Sequence, residues 1–241
     1  MFREIKKKKL ILENRRPYKK GVADAIREMD FLDWIQTSLR IDGSSLSREQ
    51  VREMFLNGPV TSATVFECSL IENLKHLISK AFDMQSMNLR VTDTVIAEAY
   101  NIISSGSEPV LRRDCSPVAG FGHIPPATAA IPEQLDIFTH FINTSQDEYS
   151  SNPLEKAAQI HNRFIEIYPF PKWNEELARF FMFYYLLCRG YPAFILGFSG
   201  SEYTAAVKAY LEKNDSSLFY GAIERAVFSK LDALMHLTAP E

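Results

Sequence analysis

The sequence predicts a mainly α-helical domain, and three observations carry that expectation. Apolar residues recur at steps of three and four, as at Val22, Ile26, Met29, Leu32, Ile35 and Leu39, which is one face of a helix. Residues 180–188 hold no charge, and a helix apolar nearly all round belongs at the centre of a bundle. Glycine and proline gather in one segment, 105–131, which lacks a helical period and reads as a loop with a short β-hairpin. With 241 residues, 46% of them apolar and 12% aromatic, the chain can bury a substantial core.

Taken in order, the first helical face ends at Gly43, a residue suited to a C-terminal cap. Ser47 and Gln50 have capping-box spacing and open a short helix that stops near Asn57 and Gly58. Thr61 or Ser62 opens the next, with Val65, Cys68, Ile71, Leu74, Ile78 and Ala81 inward. Thr92 caps a helix to about Ser104. Pro132 and Pro153 each suit the first position of a helix, the second of which turns Ala157, Ile160, Phe164 and Ile167 inward. Further helices are expected over 175–189, 200–214 and 215–237. The chain thus divides into a basic N-terminal arm (1–20), N-terminal helices (21–90), a core (91–214) and a C-terminal helix packed on that core (215–241).

The net charge is −3, yet residues 1–20 carry nine Lys and Arg against Glu4 and Glu13, a balance of +7 that leaves −10 on the remainder. An acidic body argues against nucleic-acid binding, and the arm reads as a solvated terminus. Cys68, Cys115 and Cys188 are odd in number and lack metal spacing, which suits reduced packing thiols, and no metal site is expected. No apolar window is long enough for a membrane span. These features predict a soluble cytoplasmic protein.

The densest chemistry lies in Tyr168-Pro169-Phe170-Pro171-Lys172-Trp173-Asn174-Glu175-Glu176-Leu177-Ala178-Arg179. Its frame resembles the signature of the Fic/Doc family, His-Pro-Phe-x-Asp/Glu-Gly-Asn-Gly-Arg-x-x-Arg, whose members mostly transfer AMP from ATP to a protein hydroxyl. Pro169, Phe170, Asn174 and Arg179 match. Tyr168 replaces the histidine, Lys172 the acid, Trp173 and Glu175 the glycines, and Glu176 the first arginine. The resemblance continues upstream. Gly120-Phe121-Gly122-His123-Ile124-Pro125-Pro126 looks like the family's target-binding flap, and Ala157-Ala158-x-x-His161-x-x-Phe164 like the helix that delivers the signature. It implies a Fic-like helical bundle with a hairpin flap, a protein target bound through Gly120, Phe121 and Gly122, and ATP with Mg²⁺ as cofactor. On this resemblance Lys172, Asn174 and Arg179 are the candidate nucleotide-binding residues.

A second element, Ser38-x-x-x-Asp42-Gly43, is similar to the family's inhibitory helix, whose acid pairs with the last signature arginine. The resemblance therefore implies that Asp42 meets Arg179, with Ser38 and Gly43 framing it. A competing match runs from Cys68 to Asn73, with Glu72 as the acid.

The departures change the chemistry. Tyr168 is a phenol with a reference pKa near 10, about three units from a working base at neutral pH. His161 stands about 10 Å along the helix from Tyr168 and reads as a packed, hydrogen-bonded residue. Side chains at Trp173 and Glu175 crowd a phosphate cradle, Glu176 repels phosphate, and Lys172 cannot ligate Mg²⁺. The same residues also suit an ordinary helix start, with Asn174 as N-cap and acids in the first turn. The expected function is a Fic-fold protein with impaired AMP transfer, acting as a binding or regulatory module. The alternative is an active nucleotidyl- or phosphoryl-type transferase with altered chemistry. Both a weakened nucleotide site and no nucleotide site fit the substitutions.

Overall fold

A computed structural model describes residues 1–144 and 152–239. The helices are α1 (Phe2–Asn14), α2 (Lys20–Ile41), α3 (Arg48–Asn57), α4 (Val65–Ser86), α5 (Asp93–Ile103), α6 (Ile131–Asn143), α7 (Pro153–Ile167), α8 (Asn174–Leu187), α9 (Gly200–Lys213) and α10 (Ser217–Leu237). Helix α8 is the axis of the bundle, with every residue from Leu177 to Leu186 buried. It packs most extensively on α7, while α4 and α5 cover it from another side. Aromatic contacts join these layers. The rings of Phe164 and Phe181 lie 5.1 Å apart, and Trp34 of α2 meets Phe183 at 4.7 Å. The uncharged run thus forms the buried axis, because only a central helix can hide apolar side chains on every face.

Local signals set most helix ends. Ser47 and Gln50 form a reciprocal capping box at α3, and Thr92 caps α5 through Val95 N–H. Pro153 opens α7 behind the Asn152 cap. Gly43, at φ +84°, closes α2 in a Schellman motif. Its own N–H reaches Arg40 O at 3.2 Å, and Ser44 N–H reaches Leu39 O at 2.9 Å.

Several expectations need correction. Helix α4 begins behind Thr64 rather than Thr61 or Ser62, because Glu67 completes the capping box with Thr64. The shift leaves Val65 88% exposed instead of inward. Cys115 and Cys188 are exposed free thiols, not packing residues. The basic arm is not a solvated tail. Ile5 and Leu12 of α1 are buried, Lys8 pairs with Asp232, and Arg15 donates to Met235 O at 2.7 Å. Two apolar side chains on one face of the lysine-rich helix, each contributing about 1.5–3 kcal/mol when buried, suffice to dock it on α10.

Among the described residues no strand is present in the flap region. Residues 118–123 instead close as a turn, in which Val118 N–H donates to His123 O at 2.8 Å and Gly122 N–H to Val118 O at 2.9 Å. Gly120 and Gly122 adopt φ of +83° and +68°, values that break strand pairing and favour glycine. No helix among the described residues is long and apolar enough to cross a membrane.

Candidate functional site

The signature loop joins α7 to α8 through two residues in left-handed backbone. Tyr168 ends α7 at φ +46°, and Trp173 precedes α8 at φ +68°. For a side-chain-bearing residue this region costs about 1–2 kcal/mol. Trp173 replaces a glycine of the resembled signature, so the glycine-type turn is kept while a large indole is added. The indole stacks on Phe66, with ring planes 7° apart and centroids 6.2 Å apart. Phe170 is buried against Tyr100 at 4.3 Å and anchors the middle of the loop.

Asn174 does not cap α8. Its Oδ1 accepts from Phe170 N–H at 3.0 Å, and its Nδ2 donates to Phe170 O at 2.7 Å. Buried and committed at both ends of its amide, it pins the loop to the helix it opens. Lys172 is exposed on the outer side of the turn.

Arg112, which sequence reasoning missed, fastens the flap segment to this loop. Its Nε donates to Tyr168 O at 2.8 Å, its Nη1 to Asp114 O at 2.6 Å, and its backbone N–H to Pro169 O at 2.9 Å. It lies in a stretch without period or motif, and no local signal marked it. The turn itself is held from the other side by His123, whose Nε2 meets Glu166 O at 2.9 Å. Phe121 is buried between these anchors.

Arg179 is fully buried, and the inhibitory-like element converges on it. Its Nε donates to Ser38 Oγ at 3.3 Å, and its Nη2 lies 3.5 Å from Asp42 Oδ1 and 3.6 Å from Glu176 Oε1. The guanidinium carbon sits 5.6 Å from the Tyr203 ring. Nη1 has no hydrogen-bond partner. Structure therefore brings Ser38, Asp42 and Arg179 together, with Gly43 setting the turn. The competing acid Glu72 points elsewhere, pairing with Lys75 at 3.0 Å and His76 at 3.3 Å on the surface. Glu67 reinforces the Asp42 turn from α4 through its contact with Ser44.

Two carboxylates, Asp42 and Glu176, thus share one guanidinium, and the charge of Glu175 acts on it from nearby. Burial first, then the charges of Asp42 and Glu175, push Glu176 up to about 7 against the pull of Arg179. Burial likewise raises Glu175 and Asp42, while Arg179 pulls both down. Burial opposes the charged form of Arg179, but Asp42 and Glu176 outweigh it and hold the guanidinium above its usual range. Tyr168 is pushed up to about 12, by burial and then by the Glu175 charge. His161 lies between Tyr203 Oη at 2.8 Å and Asn162 Oδ1 at 3.0 Å and stacks on Phe219; burial lowers it to about 3. It is a neutral core residue.

Comparison with known proteins fits this geometry. Residues 73–186 match the model of the Fic/DOC family. A protein adenylyltransferase Fic of Drosophila mojavensis is 24% identical over 176 residues, covering 69% of this chain and 34% of the relative. One from Nematostella vectensis is 24% identical over 189 residues, covering 76% and 42%. The chain therefore spans well under half the length of these relatives. Among solved structures, a Fic-domain signalling protein from Bacteroides thetaiotaomicron superposes with TM-score 0.80 at 17% identity, covering 98% of this chain and 97% of that one. Fic-1 from C. elegans gives 0.81 at 19% identity, covering 98% and 71%. Residues 73–186, which end in the signature loop and α8, thus match the Fic/DOC family model, and the fold around them, with the acid that follows α2 set on the last signature arginine, is that of solved Fic-domain structures.

Proposed function

We propose that this chain is a Fic-fold module in which AMP transfer is lost or greatly reduced, and which works by binding a protein target. The observation that carries the proposal is Tyr168 at the position of the signature histidine, with its phenol pushed up to about 12. A group that stays protonated at neutral pH cannot take a proton from an attacking hydroxyl, and loss of a positioned base typically costs about 10²- to 10⁴-fold in rate.

The residues present also do not fit a magnesium nucleotide. The Lys172 ammonium cannot ligate a cation. Glu176 sets a carboxylate 3.6 Å from Arg179, the candidate phosphate-binding cation, and Trp173 puts an indole at a glycine position of the resembled signature, where a phosphate cradle relies on bare backbone. Target binding does not depend on this chemistry. The exposed segment 113–117 that leads into the turn at 118–123, tied to the signature loop through Arg112, offers backbone to which an extended segment of a target protein can add as a strand.

Incubation with labelled ATP and Mg²⁺ or Mn²⁺ tests the first part, using wild type and Asp42→Gly. No transfer is expected from either, and clear labelling by either overturns the reading. Loss of peptide capture on deleting 118–124 supports the second part, and unchanged capture counts against it. One observation favours the alternative of a transferase with altered chemistry. Arg179 Nη1 is buried without an acceptor, a donor that a ligand oxygen could satisfy. A rise in melting temperature with millimolar nucleotide would favour that alternative.

A further inference from the structure

Two acids from different helices meet on one nitrogen. Arg179 Nη2 lies 3.5 Å from Oδ1 of Asp42, the residue that ends α2, and 3.6 Å from Oε1 of Glu176 in the first turn of α8. An unopposed charge-assisted bond from guanidinium to carboxylate closes to about 2.7–2.9 Å. Both contacts are well beyond that and nearly equal, which is the geometry of a donor divided between two acceptors that repel each other. Nη1 of the same guanidinium is buried without an acceptor, so the cation has donor capacity that this arrangement leaves unused. Ser38 Oγ takes the Nε–H at 3.3 Å and keeps the guanidinium facing the end of α2.

Ionised, Glu176 draws on Nη2 and repels Asp42 across it; protonated, it does neither. Its charge changes near neutral pH, because burial, opposed by Arg179 and aided by Asp42 and Glu175, pushes it up to about 7. The other groups around it are Asp42 and Glu175, both raised by burial and pulled down by Arg179, and the phenols of Tyr168 at the end of α7 and Tyr203 on α9. Burial holds both phenols above their usual range, so they stay neutral. The terminal turn of α2 carries the consequence. It is closed by Asp42 N–H to Ser38 O at 3.0 Å, Gly43 N–H to Arg40 O at 3.2 Å and Ser44 N–H to Leu39 O at 2.9 Å. Exchange of these three amides with solvent reports whether the end of α2 is held.

We propose that Glu176 gates a clasp between the end of α2 and α8. With Glu176 protonated, Arg179 turns fully onto Asp42 and the end of α2 is held; with Glu176 ionised, Asp42 is partly released and that turn opens more often. The clasp lies in the pocket discussed above but stands whether or not the loop transfers AMP, because its readout is the backbone of α2. Hydrogen exchange of the whole chain, followed by NMR at Asp42, Gly43 and Ser44 and corrected for intrinsic rates, tests it. Protection of these amides is expected to fall by at least about threefold from pH 6 to pH 8, part of the roughly tenfold or more that corresponds to a whole hydrogen bond to a charged group. Glu176→Gln should keep the high protection at both pH values, and Asp42→Asn should show low protection at both. Slow exchange of the α4 amides checks that each variant is folded, and either variant carries the test should the other fail to fold. No fall in the wild type, a fall that the α4 amides share in equal measure, or a fall that persists in Glu176→Gln or Asp42→Asn overturns the proposal.

Discussion

Arg179 and Glu176 set the electrostatics of the signature pocket, and both make predictions. Replacing Arg179 by Ala strips the one buried cation from Asp42 and Glu176 and is expected to cost about 3–5 kcal/mol, measurable by urea unfolding. Unfolding at wild-type urea would show that solvent, not Arg179, satisfies these acids. Glu176 supplies a pH signature. Its folded pKa, about 7, lies above that of an unfolded glutamate, so the folded state holds its proton more tightly. The stabilisation is complete below the unfolded value and is lost as pH rises through about 7. Asp30, raised to about 6 by burial, acts in the same sense, whereas His161, lowered to about 3, makes stability fall as pH drops below its unfolded value. A difference between variants cancels those backgrounds. Glu176→Gln should therefore gain melting temperature relative to wild type between about pH 5 and pH 8. A difference constant across that range would show that Glu176 is not the titrating group.

Element by element, the docked α1 and the loop-to-helix junction make claims of their own. Ile5→Ala is expected to destabilise by about 2–5 kcal/mol, the range for a fully buried aliphatic side chain, and a near-neutral result in urea would return α1 to a solvated tail. Asn174→Ala removes both amide bonds to the Phe170 backbone and leaves two buried main-chain groups without partners. A loss of about 2 kcal/mol or more is expected, with faster hydrogen exchange confined to the 168–174 loop. The capping box at Ser47, the simple cap at Thr92, and the glycine that ends α2, were legible because their partners lie within four residues. The start of α4 was misread by two or three residues because Thr61, Ser62 and Thr64 are all good caps, and only the Glu67 partner separates them. Asn174 was misread as a cap for the opposite reason: its amide bonds backward to the loop, a choice that the loop's φ values at Tyr168 and Trp173 impose.

For the whole molecule, the sequence by itself determined the helical class, the order of the elements, the central place of the uncharged helix and the likeness to the Fic signature. All of these are local, written in periodicity, caps and short motifs within hydrogen-bonding reach along the chain. Only the tertiary structure decided that the lysine-rich arm docks on α10 and that Arg112 ties the flap segment to the signature loop. It also showed that Glu176 joins Asp42 on Arg179. Each of these joins residues far apart in the chain, as Lys8 and Asp232 are, 224 positions from one another. Packing decides such pairings, because the burial that makes a charge or a methyl group matter exists only after the helices have come together.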